Sequence, residues 1–198
     1  MSLNVTAVGP AGAGYVTVFP CGAQPTVSSL NYITGQTVPN AVIAPLSAAG
    51  EVCFYSQADT DLIADVNGWF ATAAGFTPLD PMRVFDTRAD QPQGSVAIAQ
   101  HTYGAAAILK VKIAGSSGVP ATGVGAVSLN VTAVGPVGSG YVTVFPCGAQ
   151  PTVSSLNYIT GQTVPNAVIA PLSPTGEVCF YSQADTDLIT DVNGWFAN

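Results

Sequence analysis

Four aspartates carry the strongest candidate chemistry in the chain, because they recur in two equivalent settings. Asp61 and Asp65 lie in one acidic run, and Asp187 and Asp191 occupy the same places in a second run. Carboxylate oxygens are ligands that calcium prefers, and strand alternation would place Asp61 and Asp65 on one face. The spacing is not that of an EF-hand loop. The residues therefore allow a calcium site or, alternatively, carboxylates that cap turns and pair with arginines.

A second charged group lies in the middle of the chain. Arg83, Asp86 and Arg88 follow one another in the run Arg-Val-Phe-Asp-Thr-Arg. A guanidinium offers a planar fork of donors that matches a carboxylate. We predict that these three residues form a structural clasp between the middle of the chain and the acidic runs.

Aromatic residues next to amides offer a different chemistry. Trp69 follows Asn67, and Trp195 follows Asn193, within the repeated run Asp-Val-Asn-Gly-Trp-Phe. An exposed indole beside polar groups suits stacking on a sugar ring, so these four residues are candidates for glycan binding. The alternative is that the tryptophans belong to the core.

Catalytic groups are scarce. His101 is the only histidine, and the chain has neither a Gly-x-Ser-x-Gly elbow nor a histidine pair for a metal. A pair of carboxylates for glycoside hydrolysis stays open, because the required separation is spatial. We predict no catalytic residues, no enzyme activity and no cofactor beyond the calcium alternative.

Four cysteines are equally spaced in pairs. Cys21 and Cys53 are 32 positions apart, as are Cys147 and Cys179. One disulfide in each pair is the simplest arrangement, and it implies an oxidising compartment. Four buried free thiols are the alternative, whereas zinc is disfavoured because no Cys-x-x-Cys spacing or nearby histidine is present.

The chain is largely a duplication. Residues 1–72, the first copy, and residues 127–198, the second copy, align without a gap and differ at seven positions. A repeat of this kind indicates structural modules that cover each other's open faces. We predict a complete repeat unit at 77–198, in which 77–126 is a unique opening segment. Residues 1–76 then form the C-terminal two-thirds of another unit, as in a piece of a longer array.

Composition excludes several classes of partner. Charged residues make up 8% of the chain, and the net charge is −7, against about a quarter charged in ordinary soluble proteins. All four basic residues lie in the opening segment. So few cations cannot neutralise a phosphate backbone or an anionic membrane, and no apolar run reaches the roughly 18 residues of a membrane span. We predict neither nucleic-acid binding nor membrane insertion.

Alternation with period two runs through the chain and predicts an all-β protein. In each copy, glycine- and proline-rich turns predict three hairpins, in the first copy at 2–19, 28–46 and 51–70. The opening segment predicts a short strand at 83–88 and a strand at 108–113 with Lys110 and Lys112 facing water. About eight strands per complete unit favour an antiparallel β-sandwich of jelly-roll type. A β-trefoil and a propeller-like ring are the alternatives.

Six ordered motifs suggest a family. They are Arg-Val-Phe-Asp-Thr-Arg, Gly-Val-Pro-Ala, Ser-Leu-Asn-Val-Thr, Gly-Tyr-Val-Thr-Val, Gly-Gln-Thr-Val-Pro-Asn and Asp-Val-Asn-Gly-Trp-Phe. In this order they resemble a repeat of about 120 residues found in secreted and cell-surface proteins of actinobacteria. The resemblance covers essentially the whole chain. It implies export, a β-rich module and an accessory role, and it carries over no ligand or catalytic residue.

These observations lead to one expected function and two alternatives. We expect a non-catalytic extracellular repeat module that serves as a structural or adhesive spacer or anchor on a bacterial surface or secreted protein. A module that binds cell-wall glycan is the first alternative, and a strand-swapped self-assembly module is the second. The expected partners are neighbouring repeats or a second copy of the chain, and in the first alternative the partner is cell-wall glycan.

Overall fold

The computed structural model describes residues 1–70, 75–104 and 107–198, and for Asn67 and Gly68 it describes the backbone alone. Antiparallel β-strands form four sheets in these residues. No helix in the described part of the chain is long and apolar enough to cross a membrane. The fold is therefore all-β, as the alternation predicts.

The opening segment and the second copy together form a complete sandwich of eight strands. These strands are β7 (Phe76–Asp86), β8 (Ile108–Lys112), β9 (Val124–Val134), β10 (Gly140–Pro146), β11 (Leu156–Tyr158), β12 (Thr163–Pro171), β13 (Glu177–Ser182) and β14 (Asp187–Ala197). One sheet has the order β12-β9-β14-β7, and the other has the order β11-β10-β13-β8. The first strand therefore lies beside the last, and the second beside the seventh, which is the connectivity of a jelly roll.

The first copy repeats this architecture without its first two strands. Its strands are β1 (Ser2–Val8), β2 (Gly14–Pro20), β3 (Leu30–Tyr32), β4 (Thr37–Ile43), β5 (Val52–Ser56) and β6 (Asp61–Gly68). They form sheets of order β4-β1-β6 and β3-β2-β5. These orders match those of the second copy, but within the described residues nothing pairs with the outer edges of β5 and β6, where β8 and β7 pair in the second copy.

The three predicted hairpins are wrong. β1 and β2 lie in opposite sheets, as do β3 and β4, and β5 and β6. The glycine- and proline-rich turns are arches from one sheet to the other; Gly9, at the start of the first arch, has a φ of 57° that glycine adopts readily. Turn chemistry marks where a strand ends, but it does not specify which sheet receives the next strand.

The short strand predicted at 83–88 is also different. β7 begins at Phe76, includes Pro78 and Pro81, and ends at Asp86. Both prolines are tolerated because β7 is an edge strand, whose outer side has no neighbouring strand to bond. The pairing with β14 shifts register between Val192 and Gly194, close to Pro78.

The strand predicted near 108–113 is confirmed. β8 is the edge strand of its sheet, with Leu109 and Val111 buried while Lys110 and Lys112 are exposed. Lysines on such an edge oppose unwanted pairing with another strand.

Each sandwich has its own core and its own disulfide. Buried side chains between the sheets form one cluster in the complete unit and a smaller one in the first copy. The disulfides Cys21–Cys53 and Cys147–Cys179 are both formed, as the spacing predicts. Closing a loop of this length stabilises a fold by about 3–4 kcal/mol on the chain-entropy account.

Candidate functional site

The Asp-Thr-Arg turn at the end of β7 is a dense polar cluster. The Asp86 carboxylate is fully buried and accepts hydrogen bonds from Arg83 (2.9 Å) and from Arg88 (2.7 and 3.0 Å). It also accepts a bond from the Arg88 backbone amide at 3.0 Å. The turn is thereby held in one conformation by charge-assisted bonds.

Thr87 joins this turn to the second copy. Its hydroxyl donates to the Asp187 carboxylate at 2.9 Å and accepts from the Leu188 amide at 2.8 Å. Its own amide donates to the Leu188 carbonyl at 3.0 Å. Each residue of the Asp-Thr-Arg motif is therefore used in docking or shaping the opening segment on β14.

Arg83 extends the cluster to three parts of the chain. Its Nε donates to the Asp191 carboxylate of β14, and the Ser28 backbone amide of the first copy lies beside this carboxylate. Asp191 Oδ2 is buried and has no hydrogen-bond partner in the described residues. The predicted clasp residues thus contact the second copy through Arg83, whereas Arg88 pairs with Asp86 inside the opening segment. A single buried carboxylate therefore pairs with the opening segment and lies beside the first copy.

Burial controls the electrostatics of this cluster. It raises the pKa of the Asp191 carboxyl, against the opposing effect of Arg83 and the Ser28 amide. Hydrogen bonding to Asp86 raises the pKa of Arg88, so its guanidinium is charged at every accessible pH. The cluster is a structural ion pair network, in which burial is costly unless every partner is kept.

A second polar contact joins the two copies through asparagines. Asn40 donates through Nδ2 to Asn130 Oδ1 at 2.9 Å and accepts at Oδ1 from the Ala167 amide at 3.2 Å. Asn130 in turn donates to the Ser28 carbonyl at 2.7 Å. We call Ser28, Asn40, Asn130, Ala167 and Asp191 the junction. The two side-chain amides bond to each other in one relative orientation, and this bond orients the first copy on the second.

The junction covers a sheet face that is otherwise open. On β9 the outward side chains Ser128, Asn130 and Thr132 are buried, although they are polar. Their counterparts in the first copy are Ser2, Asn4 and Thr6 on β1, and these side chains are half-buried. The sequence is the same, so the difference arises because the first copy packs on the outer face of β9.

The acidic residues proposed for calcium are separated by this arrangement. Asp191 contacts Arg83 and Asp187 contacts Thr87, while Asp61 and Asp65 are exposed. No group of three or more histidine, cysteine, aspartate or glutamate side chains is gathered in the described ranges. Calcium binding stays a prediction from sequence, and the geometry favours the alternative of aspartates paired with arginine and threonine.

The residues proposed for glycan binding differ between the copies. Trp69 is 75% exposed and borders an apolar groove with Phe70, Pro45 and Leu46. Trp195 is half-buried and packs on the core, and Asn193 is buried, so this pair is not presented to a glycan. The side chain of Asn67 lies outside the described residues.

Sequence reasoning missed Ser28, Asn40 and Asn130. Asn130 belongs to the outward polar face of a predicted strand, and such a face indicates solvent unless another body covers it. The available signal was the duplication itself, because repeated modules stack. It could not distinguish Asn130 from Asn4, since the flanking residues are the same.

Comparisons with family models, with curated proteins and with solved structures find no significant match to the chain.

Proposed function

We propose that the chain is a non-catalytic extracellular repeat module that acts as a structural or adhesive spacer or anchor on a bacterial surface or on a secreted protein. The observation that carries the proposal is the junction. A stalk or spacer must hold successive modules in a fixed orientation, and buried polar pairs do this better than apolar contacts, because they are satisfied in one geometry only.

The state of the acidic and basic groups supports a structural role. Arg83, Asp86 and Arg88 line an open groove, but they bond to each other there, and Arg83 also pairs with the buried Asp191. A catalytic centre would need such groups to be free to act on a substrate instead of being held in ion pairs. The two disulfides support export to an oxidising compartment.

The duplication supplies a matched test of the junction. Asn130→Ala removes the bonds to Asn40 and Ser28. Asn40 keeps its bond to the Ser29 carbonyl, but the Ser28 carbonyl loses its donor, and leaving such a group unpaired costs about 1–3 kcal/mol. Asn4→Ala is the control, because Asn4 is the equivalent residue without a neighbouring module. Hydrogen exchange at residues 28–31 and small-angle scattering are the measurements.

We expect Asn130→Ala to speed exchange at 28–31 and to enlarge the scattering radius, with no such change for Asn4→Ala. If the two variants had the same exchange rates at 28–31 and the same scattering radius, the junction would not hold the copies in a fixed orientation, and the proposal would fail.

Glycan binding is the alternative function, and the exposure of Trp69 favours it. Titration with soluble chitin or peptidoglycan fragments would shift the fluorescence of Trp69 in this case. Trp69→Ala would abolish the shift, and Trp195→Ala would preserve it. The spacer function predicts no shift in either variant.

A further inference from the structure

We propose that the outer edge of β6, beside the exposed Phe54 of β5, forms a receptor for the first strand of an opening segment from outside residues 1–198, a polypeptide with the residue pattern of residues 76–103. This inference deepens the proposed function, because it names the partner that completes the first copy. The occupant adds a strand to β6 as β7 does to β14, a mode of recognition in which main-chain bonds give affinity and side-chain pockets give specificity.

The first observation is a matched pair of apolar residues on the two edges. Leu62 and Val66 on β6 are 37% and 62% exposed, whereas their counterparts Leu188 and Val192 on β14 are fully buried. In the complete unit, Leu188 and Val192 belong to the core shared with the opening segment. The first copy therefore exposes a surface of the same composition as one that is covered elsewhere in the same molecule.

The second observation is an aromatic residue without its partner. In the complete unit, Phe180 of β13 packs edge to face on Phe85 of β7, with ring centroids 5.1 Å apart. The equivalent Phe54 on β5 is 39% exposed, whereas Phe180 is fully buried. An occupant that places a phenylalanine as Phe85 is placed would cover Phe54.

The third observation is a pair of aspartates on β6 that is equivalent to a pair on β14. On β14, Asp191 receives Arg83 and Asp187 receives Thr87, both from the opening segment. On β6, the equivalent carboxylates of Asp65 and Asp61 are exposed. An occupant with the Arg-x-x-Asp-Thr-Arg pattern therefore supplies both an arginine and a threonine hydroxyl in the right register.

The edges also differ in how they are protected. In the complete unit, the edge strand β8 carries two lysines and the edge strand β7 carries two prolines, which oppose pairing. β5 and β6 contain no lysine or proline. An edge without these lysines and prolines is suited to accept a strand.

A second copy of the chain does not fit as the occupant. Each chain carries one opening segment, and that segment is already docked on its own second copy. Exchange between two chains would open as many edges as it closes. The occupant is thus an additional opening segment.

The test uses the oxidised chain of 198 residues and a synthetic peptide of residues 76–103. Binding is measured by calorimetry, and the site is mapped by hydrogen exchange. We expect saturable one-to-one binding with slower exchange at residues 61–66 and no change in β14. A peptide with Phe85→Ala should bind about tenfold or more weakly, because it leaves Phe54 uncovered.

A matched pair of protein variants locates the site. Val66→Lys puts a charge on the receptor edge and should also weaken binding about tenfold or more. Ile33→Lys is the control, because Ile33 is equally exposed, at 63%, and is not on that edge; it should bind the peptide as the parent chain does. Both side chains are exposed, so we expect both variants to fold as the parent chain does.

Three outcomes would overturn the inference: no binding, exchange of the peptide with β7 on β14, or a dimer of the chain joined edge to edge at β6. None of them would affect the junction test with Asn130→Ala, so failure of the receptor and failure of the proposed function are distinguishable.

Discussion

Asp191 and Asp65 occupy equivalent places in the two copies and have opposite surroundings. Asp191 is buried against Arg83 and the Ser28 amide, and Asp65 is exposed. The flanking residues are the same except that Thr190 stands where the first copy has Ala64. The environment of each carboxylate is therefore set by parts of the chain that are distant in sequence, and each aspartate is the natural control for the other.

Arg83→Ala should destabilise the complete unit by about 3–5 kcal/mol, because it leaves the buried carboxylate of Asp191 without its cation. Urea unfolding measures this change. Asp65→Asn, at the exposed equivalent site, should alter the free energy of unfolding by less than about 0.5 kcal/mol. A similar small effect of both substitutions would mean that the Arg83–Asp191 pair does not stabilise the fold.

Asp191 should also give stability a specific pH dependence. Its folded-state pKa is raised above the ordinary value of 3.8, mainly by burial. The folded state then binds the proton more tightly than the unfolded state, so the stabilisation is fully present below pH 3.8 and is lost as pH rises through the raised pKa. The unfolding free energy of the parent chain, minus that of Asp191→Asn, should fall over this window. A difference that rises with pH would show that the Arg83 ion pair outweighs burial.

At the scale of strands, the sequence predicts element type better than element pairing. Alternation correctly predicts strands in both copies, the inward Val111 of β8 and the outward Lys110. The hairpins were wrong because a short turn between two strands looks the same in sequence whether the chain stays in one sheet or crosses to the other. β7 was predicted too short because Pro78 reads as a loop residue, and only its edge position makes it acceptable.

Because β5 lacks the neighbours that β13 has, the same substitution should cost less stability in the first copy than in the second. Phe180→Ala should cost about 3–5 kcal/mol, because it empties a fully buried site. Phe54→Ala should cost about 1 kcal/mol, since Phe54 is already partly in water. The tryptophan of each copy reports its unfolding separately, in Trp69→Phe and Trp195→Phe backgrounds. Equal costs would indicate that Phe54 is covered in solution.

At the scale of the whole molecule, one sequence is present in two states of completion. The second copy has both opening strands, and the first copy packs on its outer face through the junction. The clasp residues Arg83 and Asp86 could be predicted from charge complementarity within a short motif. The junction could not, because Asn40 and Asn130 gain their partners only when one module covers another.

Hydrogen exchange separates these two states of completion, because equivalent strands with nearly the same sequence have nearly the same intrinsic exchange rates. We expect the outward amides of β5 and β6 to exchange much faster than those of β13 and β14, which are bonded to β8 and β7. Equal protection of the two sets in the isolated chain would contradict this expectation.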